Sequence, residues 1–493
     1  MIGAIGIGDI SRVISHSPDK KLNERIGFMK SIPASLAQSL RVSGQSHLLS
    51  FLDSLNPVDY QRLVGQLMSV DWPLIRNLVS TGFTVVEEGE EDFEPPVAVR
   101  ANGEGVAWSI SDAEDAGVTA LRAGAVAAVV VAGGQGTRLG FEHPKGMLPI
   151  GPVSNRTLFQ IIADRLKATG LRYGVKIPLY LMTSDATHQE TVSYFSSNNY
   201  LGLDPSELVI FKQGTMPAVD ISTGLCLMAA PNSLALSPDG HGGTLAALQK
   251  NGCLDDAESR GVKHLAYIQV DNPLAQLCDP VFLGHHLLSG SEMTTQVVKK
   301  RYPLEKVGNV VRVGEKVRIV EYSDLPEHSA KQTNEDGELR FWAGNIAVHL
   351  IELPFLRRSL TQADSLPFHR AFKQVPYVDR SGQRINPSEP NAVKFERFIF
   401  DLLPHAKNAL VVEADPAFAF APVKNAAGSE TDTAELAKDA CSNLHKGWLE
   451  RLGITVAEGV RVEINPLFAL DMSELATKVS RDQEFLEDHY FCS

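Results

Sequence analysis

Leucine, valine and methionine recur at three- and four-residue intervals in SLAQSLRVSG, SHLLSFLDSLNP and DYQRLVGQLMSVDW. That spacing gathers apolar side chains on one helical face, so residues 1–95 read as a helical region. Its end is Glu87-Glu88-Gly89-Glu90-Glu91-Asp92-Phe93-Glu94-Pro95-Pro96. Like charges repel there and proline stops a helix, which predicts a solvated connector. From about residue 120 the pattern changes to short apolar runs: VAAVVV at 126–131, IPLYLM at 177–182, LVIF at 208–211 and HLAYIQV at 264–270. Amphipathic stretches such as LFQIIADRLKATG lie between them. Buried strands alternating with helices predict an α/β fold with a mostly parallel sheet covered on both faces. Ligands in such sheets bind beyond the carboxyl ends of the strands. Pieces at 310–313, 317–321 and 345–350 extend this as a mixed sheet, and TAELAKDACSNLHKGWLERLG leads to a short strand at 460–464. The expected division is a helical region 1–95, an α/β domain 96–405 and a small C-terminal domain 406–493.

Composition narrows the function. Forty-six basic residues against 59 acidic ones leave a net charge of −13, with no basic stripe, so a nucleic-acid partner is not expected. A hydrophobic content of 44% with 21% charged residues fits a globular chain and excludes a disordered one. The five cysteines are odd in number and form no CxxC pair, which argues against a disulfide framework or a cysteine-rich zinc site. Cys226, Cys253 and Cys278 are expected as small buried fillers. The first residues lack a basic stretch before their apolar ones and make a poor signal peptide. No run approaches the ~18 apolar residues of a membrane span. A cytoplasmic protein without a membrane partner is expected. His285-His286 falls in a helical pattern whose adjacent positions diverge, which predicts a surface pair rather than two metal ligands.

An acidic protein that binds a phosphorylated ligand must build a local cationic pocket. The place to look is directly after VAAVVV, where the chain reads Ala132-Gly133-Gly134-Gln135-Gly136-Thr137-Arg138-Leu139-Gly140 and then Phe141-Glu142-His143-Pro144-Lys145-Gly146. Glycines there let backbone N–H groups converge on an anion. The dinucleotide pattern GxGxxG fails, because Leu139 occupies its third glycine position, and GxxxxGK[ST] does not occur. What the loop offers is Arg138, a rigid fork of donors, and Lys145, a compact point charge. Two unit charges ~4 Å apart interact by about 4 kcal/mol at an effective dielectric of ~20, so two cations with several backbone N–H groups offset the repulsion between a triphosphate and an acidic protein.

The string AGGQGTRLG, with HPKGMLPIG and TLFQ after it, resembles the signature of the UTP-dependent sugar-nucleotide pyrophosphorylases, above all the UDP-N-acetylhexosamine pyrophosphorylases. The similarity runs on through FKQGTMPAV at 211–219, SPDGHGG at 237–243, YIQVDNPL at 267–274, VGNVV at 307–311 and IVEYSDL at 319–325. It continues with WAGNIAVH at 342–349, NAVKFERFIFD at 391–401, FAPVKNAAG at 420–428 and VEINPL at 462–467. The resemblance implies a Rossmann-like nucleotidyltransferase core flanked by smaller domains. It also implies a reaction in which UTP and a sugar 1-phosphate give a UDP-sugar and pyrophosphate, with Mg²⁺.

By the same resemblance, Ala132, Gly133 and Gly134 shape the nucleotide loop, while Arg138 and Lys145 face the β- and γ-phosphates. Gln213, a surface glutamine by default, matches the residue that reads uracil, whose edge needs both a donor and an acceptor. Gly240 lets the backbone approach the base. Asp271 ends a strand, where it either caps the next turn or holds Mg²⁺, and the resemblance implies the metal. Gly308, Glu321 and Asn345 match positions that bond the hexosamine, Lys394 the lysine at the sugar phosphate, and Lys424 one reaching over the site.

Two departures stand out. His241 occupies a position where the N-acetylhexosamine enzymes usually carry Asn, whereas UDP-glucose and broad UDP-sugar enzymes carry a GHG string. His241 therefore contacts either the sugar or only the nucleotide or backbone, and glucose or galactose 1-phosphate is the alternative substrate to N-acetylglucosamine 1-phosphate. The chain also ends soon after VEINPL, and its oligomeric state is not readable. From other classes, a non-catalytic sugar-nucleotide sensor has no need of pyrophosphate-facing cations. An NAD(P)-dependent oxidoreductase is disfavoured by the broken GxGxxG.

Overall fold

The computed structural model describes residues 32–83, 92–362, 366–481 and 483–492. The N-terminal 21 residues weighed as a signal peptide, and Glu87–Glu91 of the acidic connector, lie outside the described residues. The connector's described end is not fully solvated: Glu94 pairs its backbone with Arg312 and its carboxylate with the Arg312 guanidinium.

Ten strands form the main sheet: β1 (Ala98–Val99), β2 (Val126–Val131), β3 (Leu179–Thr183), β4 (Leu208–Lys212), β5 (His264–Gln269), β6 (Met293–Lys299), β7 (Asn309–Val313), β8 (Lys316–Val320), β9 (Ala343–Glu352) and β10 (Ala409–Ala414). Their order is β1-β10-β6-β9-β5-β2-β3-β4, with the β7–β8 hairpin hung on β9. Along that path the pairs are parallel except those of β9, which runs antiparallel to β5 and β6. Because β9 is reversed, its amino-terminal end lies at the same edge as the carboxyl ends of β2 and β5. Strand β2 shows why the apolar runs predicted strands buried on both faces. Val126, Ala128 and Val130 enter one apolar cluster, and Ala127 and Val129 enter the other.

Helices cover both faces. Two of them, Ile110–Arg122 and Pro280–Leu288, cross at glycines: a Cβ on Gly284 would lie 1.6 Å from Ala113 O, and one on Gly117 1.9 Å from Pro280 O. The second of these helices corrects the reading of His285-His286 as a surface pair. Both are buried, at 3% and 1% exposure, because the helix is apolar on nearly every side. His285 Nδ1 accepts from Trp108 Nε1 at 2.9 Å, and His286 Nδ1 lies 2.8 Å from Thr294 Oγ1. Cys226, Cys253 and Cys278 are buried free thiols, as expected.

The chain divides into two compact units. One joins the N-terminal helices up to Gly82 with Val219–Ala235 and Gln374–Ala392. Buried Gln45 stitches this unit, donating to Gly224 O at 3.0 Å and accepting from Cys226 N at 2.8 Å. The other unit takes Phe83–Ala218, Leu236–Lys373 and Val393–Ser493, and holds every candidate site residue. The sequence boundary at 405/406 thus differs from the structure, where β10 belongs to the main sheet. Among the described residues, no helix is long and apolar enough to cross a membrane.

Candidate functional site

The loop after β2 folds back on itself. Gln135 bridges Pro144, Gly136 N donates to His143 O at 2.9 Å, and Lys145 N donates to Gly134 O at 3.0 Å. This places the Lys145 side chain against Gly134, where a Cβ would lie 4.0 Å from Lys145 Cε. Ala132 N is fixed to Met182 O at 2.7 Å, and Ser184 Oγ donates to Gly133 O at 2.7 Å. A side chain on Gly133 would crowd the Gln213 carboxamide: a Cβ would sit 3.2 Å from Nε2 and 3.3 Å from Oε1. Gln213 is held by its own N–H on Thr183 O at 2.8 Å. The structure therefore brings Ala132, Gly133 and Gln213 together at the carboxyl ends of β2, β3 and β4. Arg138 stands exposed on the short turn Thr137–Leu139.

Lys145 Nζ reaches across to the next parallel strand, 3.3 Å from Asp271 Oδ2 and 3.2 Å from Val423 O. Asp271 in turn accepts Val423 N on its backbone oxygen at 2.9 Å. Asn272, which the sequence reading passed over, is the clamp. Buried at 5% exposure, it donates to Ala419 O at 2.7 Å and accepts from Ala421 N at 3.0 Å. The segment bearing Lys424 is thus tied to the strand end that bears Asp271, and Lys424 Nζ lies 5.7 Å above the Phe420 ring.

A second turn is built on glycine. Gly240 has φ of +82°, and a Cβ there would lie 2.4 Å from Arg397 O. Buried Asp239 pairs with Arg397 Nη2 at 2.8 Å and accepts Arg397 N on its backbone oxygen at 2.8 Å. His241 stacks on Phe398 with ring centroids 5.2 Å apart and accepts Ile399 N on Nδ1 at 3.3 Å. Burial, reinforced by nearby His369, lowers its pKa to about 4, so the ring is neutral and Nε2 carries its proton. Arg397, Phe398 and the carboxylate Asp401 all stood in the string NAVKFERFIFD, yet only its Lys394 had been singled out.

At the β9 end, Asn345 N donates to Gly308 O at 2.8 Å, and a Cβ on Gly308 would meet Ile319 Cγ2 at 2.8 Å. Asn345 Oδ1 accepts from Ala347 N at 3.0 Å, where a bulge interrupts the β6–β9 pairing. Glu321 follows β8 and is half-buried. Burial and then Asp324 raise its pKa, against the pull of His369 and Lys424. Lys394 is half-buried on the strand Ala392–Glu396. Among the described residues Arg138, Lys394 and Lys424 have no carboxylate partner, while Lys145 has Asp271. Unpaired cations in so acidic a chain leave positive charge available to an anionic ligand.

Asp271 stands as a single carboxylate, and no group of three or more His, Cys, Asp or Glu side chains suited to a metal occurs among the described residues. That donor set suits Mg²⁺ arriving with a triphosphate, since Mg²⁺ commonly takes one or two carboxylates with phosphate oxygens and water. It does not suit a cage for a resident ion.

The family described as UTP–glucose-1-phosphate uridylyltransferase matches residues 109–446. The chain is 36% identical to UDP-N-acetylhexosamine pyrophosphorylase-like protein 1 of Xenopus tropicalis over 430 residues, covering 83% of each. It is 35% identical to the UDP-N-acetylglucosamine pyrophosphorylase of Saccharomyces cerevisiae over 448 residues, 86% of this chain and 92% of the yeast protein. The crystal structure of the uridine diphosphate N-acetylglucosamine pyrophosphorylase from Trypanosoma brucei with an inhibitor shares the fold. It has a TM-score of 0.78 at 24% identity and covers 93% of this chain and 98% of that one.

Proposed function

The chain belongs to the UTP–glucose-1-phosphate uridylyltransferase family, and we propose that its own acceptor is N-acetylglucosamine 1-phosphate. It is a uridylyltransferase, making a UDP-sugar and pyrophosphate from UTP and a sugar 1-phosphate. This membership sets the oxidoreductase alternative aside. The names of relatives 35–36% identical to this chain over the aligned residues support the N-acetylhexosamine. The observation that carries the site is Lys145, held between the glycine loop and Asp271 at neighbouring strand ends.

In the reaction, an oxygen of the sugar phosphate attacks the α-phosphorus of UTP in line, the bond to the β-phosphate bridge breaks, and pyrophosphate leaves. A phosphate monoester loses its second proton near pH ~6, so the nucleophile is ionised at neutral pH and no general base is required. Catalysis then consists of positioning and charge stabilisation. Gln213, beside Gly133, presents donor and acceptor to uracil, and Gly240 keeps the backbone close to the base. Arg138 and Lys145 stabilise the charge that grows on the leaving pyrophosphate. Lys394 steadies the attacking phosphate, and Lys424 covers the pair from the clamped segment. Gly308, Glu321 and Asn345 orient the sugar. Asp271 would hold Mg²⁺, which would supply charge neutralisation to the reacting phosphates. Lys145 must then exchange Asp271 for phosphate oxygens.

Glucose 1-phosphate is the second reading, and His241 favours it. Its Nδ1 is spent on Ile399, leaving one donor where an asparagine amide offers donor and acceptor. A reducing cytoplasm is supported by free cysteines, four of the five buried. Pyrophosphate release from UTP against a panel of sugar 1-phosphates, with ATP, CTP, GTP and dTTP as controls, tests the assignment. The highest kcat/KM is expected with UTP and N-acetylglucosamine 1-phosphate. A preference for glucose 1-phosphate overturns the choice of sugar.

A further inference from the structure

His369 has no role in any of the motifs, yet the fold brings it beside the residues assigned to the sugar. It opens the strand His369–Lys373, neighbour to the strand Ala392–Glu396 that carries Lys394 and Glu396. Its Nε2 lies 2.8 Å from Asp401 Oδ2, and its ring lies 4.5 Å from that of Phe398, which in turn stacks on His241. Asp401 sits on the turn Ile399–His405, which packs against β8 immediately before Glu321. One short segment thus holds the imidazole by a carboxylate and by an aromatic face.

Charge follows the same layout. Burial opposes a proton on His369, but the Asp401 carboxylate, backed by Asp324 and Glu321, outweighs burial and raises its pKa above 6.5. On Glu321 the roles reverse. Burial and Asp324 disfavour its ionised form, as does Asp401, whereas His369 and Lys424 favour it. Of the other charged or titratable neighbours, His241 is neutral and Arg397 is engaged by Asp239.

We propose that His369 is a positioning residue of the sugar pocket. Fixed by Asp401, its imidazolium draws the Glu321 carboxylate into line as an acceptor for the sugar's hydroxyls. This rests on Glu321 facing the sugar, and no covalent step is involved. The pH sign follows from the imidazolium. The effect is present while His369 is protonated and is lost as pH rises through its raised pKa.

The test is steady-state kinetics of the full-length enzyme across pH 5.5–9, with KM measured separately for UTP and N-acetylglucosamine 1-phosphate in wild type, His369→Gln, Asp401→Asn and Glu321→Gln. At low pH His369→Gln is expected to raise the sugar KM about tenfold, the size of one charged hydrogen bond, with the UTP KM within about twofold. The rise of the wild-type sugar KM at alkaline pH disappears in His369→Gln and moves to lower pH in Asp401→Asn. Titration of the sugar phosphate itself is common to all variants and cancels in the comparison. A purely structural role would lower thermal stability and both KM values together, without moving a pH limb, and would overturn the proposal. So would a sugar KM in His369→Gln matching wild type at every pH while Glu321→Gln is impaired. An unimpaired Glu321→Gln removes instead the reading of Glu321 on which the proposal rests. Should His369→Gln fail to fold, Asp401→Asn, which keeps the imidazole, decides through the position of its limb.

Discussion

At position 133 a methyl group would stand 3.2 Å from Gln213 Nε2, so Gly133→Ala pushes away the one carboxamide placed to read the base. A steric cost of about 1–3 kcal/mol translates into at least about a tenfold higher KM for UTP, with the sugar 1-phosphate KM nearly unchanged. Separate KM measurements check this. Equal rises in both constants would contradict the assignment. Among the described residues Arg138 and Lys394 have no carboxylate to neutralise them, and Arg138→Ala or Lys394→Ala is expected to lower kcat at least ~10²-fold, as removal of other electrostatic stabilisers does. The loop glycines, Arg138, Lys145 and Gln213 could be singled out because each sits in a contiguous string that follows a strand. Asn272, Arg397 and His369 could not. Their partners, Ala419, Asp239 and Asp401, are far along the chain, and no local spacing announces such contacts.

Among the elements, the clamped segment 419–424 gives the sharpest expectation. Asn272→Ala strands the Ala419 carbonyl and the Ala421 N–H in a buried place, which costs about 1–3 kcal/mol for each unsatisfied group. The variant should melt earlier and also lose activity, because Lys424 is carried by the freed segment. Thermal melting combined with kcat measures both. A lowered Tm with kcat intact would show that the segment is scaffold alone. Apolar runs gave the strands almost residue by residue: Val126–Val131 was read in full, Leu208–Phe211 stopped one residue short and His264–Val270 ran one residue past the end. Long runs buried on both faces leave little ambiguity. The helix Pro280–Leu288 misled for the opposite reason. Adjacent histidines suggested a polar surface, whereas Trp108, Thr294 and His264 supply hydrogen-bond partners inside the core.

For the whole molecule, buried histidines dominate the response to acid. Burial pushes His264 and His445 down to about 4 and His286 and His349 to about 3, and His241 to about 4, all from 6.5. Each is neutral in the fold, so unfolding takes up protons once pH falls below 6.5. Stability is therefore full above that value and falls progressively toward pH 3–4, where the lowered groups finally titrate. A thermal-melting series from pH 7.5 to 4.5 should show a falling Tm, and a flat one would contradict the neutral burial of these rings. Domain organisation was the least legible feature. Val219–Ala235 and Gln374–Ala392 join the N-terminal helices through contacts such as Gln45 with Gly224, 179 residues apart. Composition does not shift at either insertion.

The claim on which the rest depends is that Lys145 and Asp271, side by side at two strand ends, handle the reacting phosphates. Single-turnover pyrophosphate release from UTP, dependent on added N-acetylglucosamine 1-phosphate and compared between wild type and Asp271→Ala, tests it most directly. Release at least ~10²-fold slower in the variant, with the fold intact by circular dichroism, is the predicted result. Release at the wild-type rate would contradict it.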